Sequence, residues 1–238
     1  MTHEDRIARA ANLLRVAQAT RSAVFSTSLG LEDQVLTDLI VRHAPQIAMF
    51  TLDTGRLPPE THEVLARTEA RYGRRIEVIF PERAAVEQFV RINGINGFFE
   101  SVDQRRACCE ARKTAPLKRA LAGKSAWVTG LRREQAVTRA TLTETGFDHE
   151  HGLVKFNPLI DWSDTEIRAY VAAHDLPYNT LNDRGYTSIG CAPCTRAISA
   201  GEEVRAGRWW WENADTKECG LHLPRAASGI PLSIPVPV

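Results

Sequence analysis

Five cysteines set the chemistry to be explained: Cys108, Cys109, Cys191, Cys194 and Cys219. An odd number is no closed disulfide framework, and a chain of 238 residues has core enough to do without staples. Cys108 and Cys109 are adjacent in the helical stretch RRACCEARKTAPLKR. Cys191 and Cys194 form a C-x-x-C after Ser188-Ile189-Gly190. Four such thiolates ligate zinc or an iron–sulfur cluster, or pack as free thiols. Adjacent cysteines crowd one tetrahedral ion. A 4Fe–4S cube offers separate irons to neighbouring residues, so the pattern favours one 4Fe–4S cluster per chain, held in a reducing compartment. Lys113, one helical turn beyond Cys109, is placed to offset cluster charge and reach toward an anion, or else is a surface lysine. Cys219 stands apart, in TKECGLH. Gly220 frees the backbone beside it, and Lys217, Arg205 and Arg208 favour its thiolate. A free thiol with a pKa of about 8.5 is only a few per cent ionised at neutral pH, so such help matters to a nucleophile. Taken alone, the residue reads more simply as an exposed, inert thiol.

Three polar segments follow apolar runs and suit anion binding. STSLGLED, residues 26–33, sets Ser26, Ser28 and Gly30 ahead of a helix, where backbone N–H groups and the helix dipole can face an anion. The plainer reading is a strand–helix turn capped by Ser28, and no Gly-Lys-Ser/Thr follows to make a Walker loop. LDTGR, residues 52–56, offers Asp53 to a ribose hydroxyl or uses it in an ordinary turn. GLRREQ, residues 130–135, carries Arg132 and Arg133, with Arg139 beyond. It can clamp a phosphate or sulfate, or be a solvated charge run.

The elements that position these segments alternate. Residues 3–19 carry an apolar stripe of Ile7, Ala10, Leu14 and Ala17, the spacing of an amphipathic helix. Strands are expected at 23–25, 47–50, 76–80 and 126–129, with helices over 31–43, 60–72, 84–92 and 104–121. Ser163 and Glu166 make a capping box that opens a helix over 164–173. Strand–helix alternation predicts an α/β fold, a mainly parallel sheet flanked by helices, with ligands at the carboxyl ends of its strands. From Arg205 onward the pattern is lost and four prolines intervene. Residues 1–204 read as the nucleotide-binding domain with the iron–sulfur site. Residues 205–238 read as a C-terminal tail that is mobile or ordered only by docking.

Charged residues make up 25% and the net charge is +1, so no broad field draws in nucleic acid or an anionic membrane, and any anion site is local. No apolar run approaches the roughly 20 residues that span a bilayer. The N-terminal MTHEDRIARA has no apolar signal core, and the chain is expected to be cytoplasmic.

Taken together and in order, STSLGLEDQVL, LDTGRLPPET, CCEARKTAPL, GLRREQ, GYTSIGCAPCT, GRWWWE and KECGLH resemble the assimilatory adenylyl-sulfate reductases, relatives of the phosphoadenylyl-sulfate reductases. The resemblance runs from Phe25 to His222. It implies an adenine nucleotide alpha-hydrolase-like fold with a modified pyrophosphate-binding loop at 26–33, and a 4Fe–4S cluster on Cys108, Cys109, Cys191 and Cys194. It implies that Lys113, Arg205, Arg208, Arg132 and Arg133 hold the phosphosulfate; Ser26, Ser28, Gly30 and Asp53 are the candidates for the nucleotide. His222 would assist or pack. The nucleophile falls on Cys219, and reduced thioredoxin or a glutaredoxin-like donor would regenerate it. A homo-oligomer is expected. Phosphoadenylyl sulfate is the alternative substrate, although relatives that use it usually lack the cluster cysteines. A tRNA-thiolating enzyme of the same fold would need an SGGxDS-type loop and a basic RNA surface. This chain has SLGLED and a net charge of +1.

Overall fold

The structure, a computed structural model, describes residues 2–135 and 139–213. Five short runs rich in β-branched and aromatic residues become parallel strands: β1 (Ala23–Thr27), β2 (Ala48–Leu52), β3 (Glu77–Ile79), β4 (Ala126–Val128) and β6 (Leu153–Phe156). A sixth strand, β5 (Thr145–Asp148), pairs antiparallel with β6 at the sheet edge. The order is β3-β2-β1-β4-β6-β5. The chain runs outward from β1 to β3, then returns to place β4 on the other side of β1. The gap at the carboxyl ends of β1 and β4 is therefore a topological switch point, where open sheets of this kind bind ligands.

Alternation along the strands splits the core into two layers. Phe25 and Val128 face one side, where they pack with Leu36, Leu39 and Ile40 of α2 (Leu31–His43), Leu14 of α1 (His3–Gln18) and Ile167 of α7 (Asp164–Ala173). Val24 and Trp127 face the other side, against Leu117 and Leu121 of α6 (Ala115–Leu121). Side chains of this kind contribute roughly 1.5–3 kcal/mol each when fully buried. α3 (Pro59–Tyr72) and α4 (Arg83–Asn93) complete the connections between the first strands. Among the described residues no helix is long and apolar enough to cross a membrane.

Three features go beyond the pattern in the sequence. The helix expected over 104–121 is broken into α5 (Val102–Cys109), a π-turn (Glu110–Thr114) and α6. The β5–β6 hairpin was not signalled: TGFD and LVKF are too short and mixed to alternate clearly, and their only punctuation is Gly152 at φ 67. Residues 205–213, the start of the expected tail, follow the docked alternative and lie on the body. Thr195 bridges to Arg208, Trp209 is fully buried, and Arg105 and Glu212 form a two-pronged ion pair, at 1% and 3% side-chain exposure.

α7 starts at a reciprocal cap. Ser163 Oγ accepts from the Glu166 amide at 3.2 Å, and Glu166 accepts from the Ser163 amide at 2.8 Å. Ser163→Ala should therefore lower stability by about 1 kcal/mol in a denaturant titration. A midpoint equal to that of the wild type would show that the cap does not matter.

Candidate active site

A cavity of about 270 Å³ opens at the switch point. Its floor is the β1 loop. Ser28 donates both its amide and its hydroxyl to Asp33 Oδ2, at 2.5 and 2.6 Å. Leu29 sits at φ 63, an unusual conformation for a residue with a side chain, and its amide donates to Thr27 Oγ1 at 3.0 Å. Gly30 caps α2, whose first turn carries Glu32 and Asp33. The β4 loop lies directly on this floor: a Cβ on Gly130 would stand 2.1 Å from Asp33 Oδ1, so only glycine permits the approach. Burial pushes the Asp33 carboxyl up to about 7, against the two Ser28 hydrogen bonds. Ser26, also lining the cavity, accepts from Trp127 Nε1 at 2.7 Å.

Of the residues expected to touch substrate, Ser26, Ser28, Gly30, Lys113, Arg205 and Arg208 line this cavity together. The other described ones stand differently. Arg132 lines it but is buried, with its donors directed inward. Nε and Nη2 donate to Glu32 Oε1 at 3.0 and 2.8 Å, and Nη1 donates to Glu134 and to the Trp162 carbonyl. It holds the β4 loop to α2 rather than offering a free fork. Arg133 is turned away from the cavity, paired with Asp161 and donating to the Leu142 carbonyl at 2.9 Å. Asp53 is outside the lining as well. It accepts from the Gly55 amide at 2.7 Å and pairs with His62 Nε2 at 2.8 Å, so it shapes its own turn. Arg139, further along, does reach the lining. Cys219 and His222 lie outside the described residues.

The other four cysteines converge. Cys108 and Cys194, each 8% exposed, share an apolar pocket with Phe89, Phe98 and Trp209, and Cys109, Cys191 and Trp211 pack against it. All four are free thiols. Thr54 Oγ1 lies 3.2 Å from Cys191 Sγ. Burial raises the Cys108 thiol, with the nearby Arg112 guanidinium opposing. Burial pushes Cys194 up to about 12; the neighbouring Cys191 adds to this, and Arg208 and Lys113 oppose it. Three buried N–H groups bordering the pocket, Arg208 Nε, Trp209 Nε1 and Trp211 Nε1, have no acceptor among the described residues. Buried donors seldom go unpaired. Among the described residues no three His, Cys, Asp or Glu side chains converge on a single metal ion.

Neither Arg105 nor Arg112 was singled out from the sequence. Their signal is position: Arg105 lies one turn before Cys109, and Arg112 one turn after Cys108. Arg105 stacks over Trp209, 4.6 Å from the ring centroid, and Arg112 Nη1 donates to the Thr54 carbonyl at 2.7 Å. Glu32 and Asp33 were part of a predicted loop, but nothing local marked them as its braces.

Fold and site together define an α/β protein with a polar crevice at the sheet's switch point and a four-cysteine pocket beside it. Residues 22–197 match the family described as phosphoadenosine phosphosulfate reductase domain, and the chain belongs to that family. It is 56% identical over 223 residues to the adenosine 5'-phosphosulfate reductase of Allochromatium vinosum, covering 92% of this chain and 87% of that protein. It is 52% identical over 221 residues to the protein of the same name from Rhizobium meliloti, covering 93% and 83%. Among solved structures it resembles the phosphoadenylyl-sulfate reductase of Candida auris in its phosphate complex, with TM-score 0.67, 27% identity, and 79% and 90% of the two chains covered. The NH3-dependent NAD synthetase of Campylobacter jejuni, at TM-score 0.54 and 14% identity, shares the fold.

The buried Asp33 gives a pH dependence with a defined sign. Its unfolded carboxyl ionises near 3.8, and its folded one near 7. Between those values the folded state holds a proton that the unfolded state has released, so the group's contribution to stability declines as pH rises from about 4 to 7. Subtracting the stability profile of Asp33→Asn from that of the wild type should reveal this decline. A flat difference across that range would refute the assignment.

Proposed function

We propose that this chain is an adenylyl-sulfate reductase, converting adenylyl sulfate to sulfite and AMP in assimilatory sulfate reduction. The observation that carries the reading is the meeting of Lys113, Arg205 and Arg208 at one crevice on the sheet's switch point, beside the four-cysteine pocket. The names of the relatives support it.

The crevice would take the nucleotide across the carboxyl ends of β1 and β4, with the phosphosulfate toward the three cations. Cys219 thiolate attacks the substrate sulfur. The bond from sulfur to the bridging oxygen breaks, and AMP leaves with the electron pair. Charge grows on the phosphate side, where Lys113, Arg205 and Arg208 stabilise it. The product on the protein is S-sulfocysteine. A thiolate of reduced thioredoxin, or of a glutaredoxin-like donor, then attacks Cys219 Sγ and expels sulfite with the S–S electron pair. The donor's second thiol resolves the mixed disulfide, so the dithiol supplies both electrons. This assigns residues 205–238 as the segment that brings the thiol to the crevice. The reading also carries a cytoplasmic location and a homo-oligomeric state.

The cysteine pocket fits a 4Fe–4S cluster. Two of its thiols are buried and two half-buried, in apolar surroundings with cations nearby, and it presents unpaired N–H donors suited to sulfide or thiolate acceptors. Cys108, Cys109, Cys191 and Cys194 would hold the cluster, which when bound supplies fixed charge beside the reacting groups.

Sulfite release measured anaerobically with thioredoxin tests the function. The reading expects kcat/KM for adenylyl sulfate to exceed that for its 3'-phosphorylated form by tenfold or more, which takes only about 1.4 kcal/mol. Comparable values would reject the substrate assignment. Cys194→Ser should lose labile sulfide and activity together, and stoichiometric zinc in the wild type would reject the cluster.

A further inference from the structure

The helix bearing the paired cysteines must satisfy two faces at once. Cys108 and Cys109 belong to the cysteine pocket, while Leu117 and Leu121, on the same run of chain, pack on Val24, Phe50 and Trp127 of the sheet. Each residue of an α-helix turns the face by 100°, and one added residue sets everything after it back by that amount. The run adds it at Glu110–Thr114, where the Ala115 amide donates to the Glu110 carbonyl, five residues back instead of four. The cause lies at the next residue. Pro116 has no N–H for the Arg112 carbonyl, and in a regular helix its ring would press on that carbonyl. A wide turn just before the proline relieves the clash.

The wide turn is also where the two inward-reaching cations sit. Arg112 is buried and donates to the Thr54 carbonyl in the loop after β2, and Lys113 lines the crevice. We infer that Pro116 is a positioning residue of the crevice: by holding the turn at Glu110–Thr114 open, it delivers Lys113 to the crevice while the cysteines and the leucines keep their separate faces. The inference rests on the reading of that crevice as a sulfonucleotide site. Pro116 itself touches no reacting atom; it acts through Lys113.

The test is a double-mutant cycle on holoprotein with Pro116→Ala, Lys113→Ala and the pair. It measures kcat/KM for adenylyl sulfate, AMP affinity by calorimetry, visible absorption per chain and melting temperature. Removing a proline from within a helical run restores a hydrogen bond, so Pro116→Ala should melt no lower than the wild type. It should keep the absorption of the loaded cysteine pocket, yet lose on the order of tenfold or more in kcat/KM together with AMP affinity. The double variant should be no worse than Lys113→Ala alone, because both changes remove the same contact. Wild-type kcat/KM in Pro116→Ala would overturn the inference, as would losses that add in the double variant. Loss of the pocket's absorption would overturn it too, since the proline would then serve the cysteines. So would a lower melting temperature, which would mark a general packing role. AMP affinity needs no turnover, so a wild type that fails to reduce adenylyl sulfate would count against the proposed function while leaving the positioning readable.

Discussion

Four thiols side by side in an apolar pocket constrain everything around them. Ionising them there to hold a cluster would be costly unless positive charge lay close by. The structure supplies that charge from two remote stretches of chain. Arg105, Arg112 and Lys113 flank the cysteine pair, and Arg208 comes from the segment after the C-x-x-C. Two of these cations, Lys113 and Arg208, also line the crevice at the switch point. The cysteine pocket and the crevice therefore share two cations, so a change at Lys113 or Arg208 alters the electrostatics of both.

That sharing explains why residues 205–213 dock. Gly190 lets Arg208 pass: a Cβ there would meet its Nη2 at 2.3 Å. Trp209 roofs the pocket, with the Arg105 and Arg208 guanidinium groups over its ring at 4.6 and 4.7 Å. The Arg105–Glu212 pair closes the edge. Removing either partner of so buried a pair strands the other charge, which is what makes the pair a firm anchor. On the opposite side of the crevice the braces are acidic. Glu32 and Asp33 hold the β1 and β4 loops together through Arg132, Gln135, Ser28 and the bare face of Gly130. The Glu32 carboxylate in that first turn leaves the end of α2 less open to anions than its dipole alone suggests.

Much of this was legible in the sequence. Alternating apolar runs placed β1, β2 and β4, and the Ser163–Glu166 signature placed α7 at Asp164–Ala173. The cysteine spacing brought four residues to one pocket because adjacent cysteines and a C-x-x-C have few other uses. What stayed hidden depends on partners distant in sequence. Arg132 and Arg133 look alike as a pair, yet one turns inward to Glu32 and the other outward to Asp161. Nothing in GLRREQ distinguishes them. Asp53 reads equally as a ribose ligand or a turn residue until His62, nine residues on, is seen to hold it. The β5–β6 hairpin failed to show because four-residue strands at a sheet edge carry too little periodicity, and the π-turn because a proline inside a helical pattern signals a break without saying of which kind.

The account stands on covalent chemistry at Cys219, and that can be observed directly. The protein is incubated anaerobically with adenylyl sulfate and no thiol donor, then examined by intact-protein mass spectrometry and peptide mapping. The account predicts one added sulfo group, on the peptide that contains Cys219, and its loss as sulfite when reduced thioredoxin is added. No adduct, or an adduct on Cys108, Cys109, Cys191 or Cys194, would contradict it.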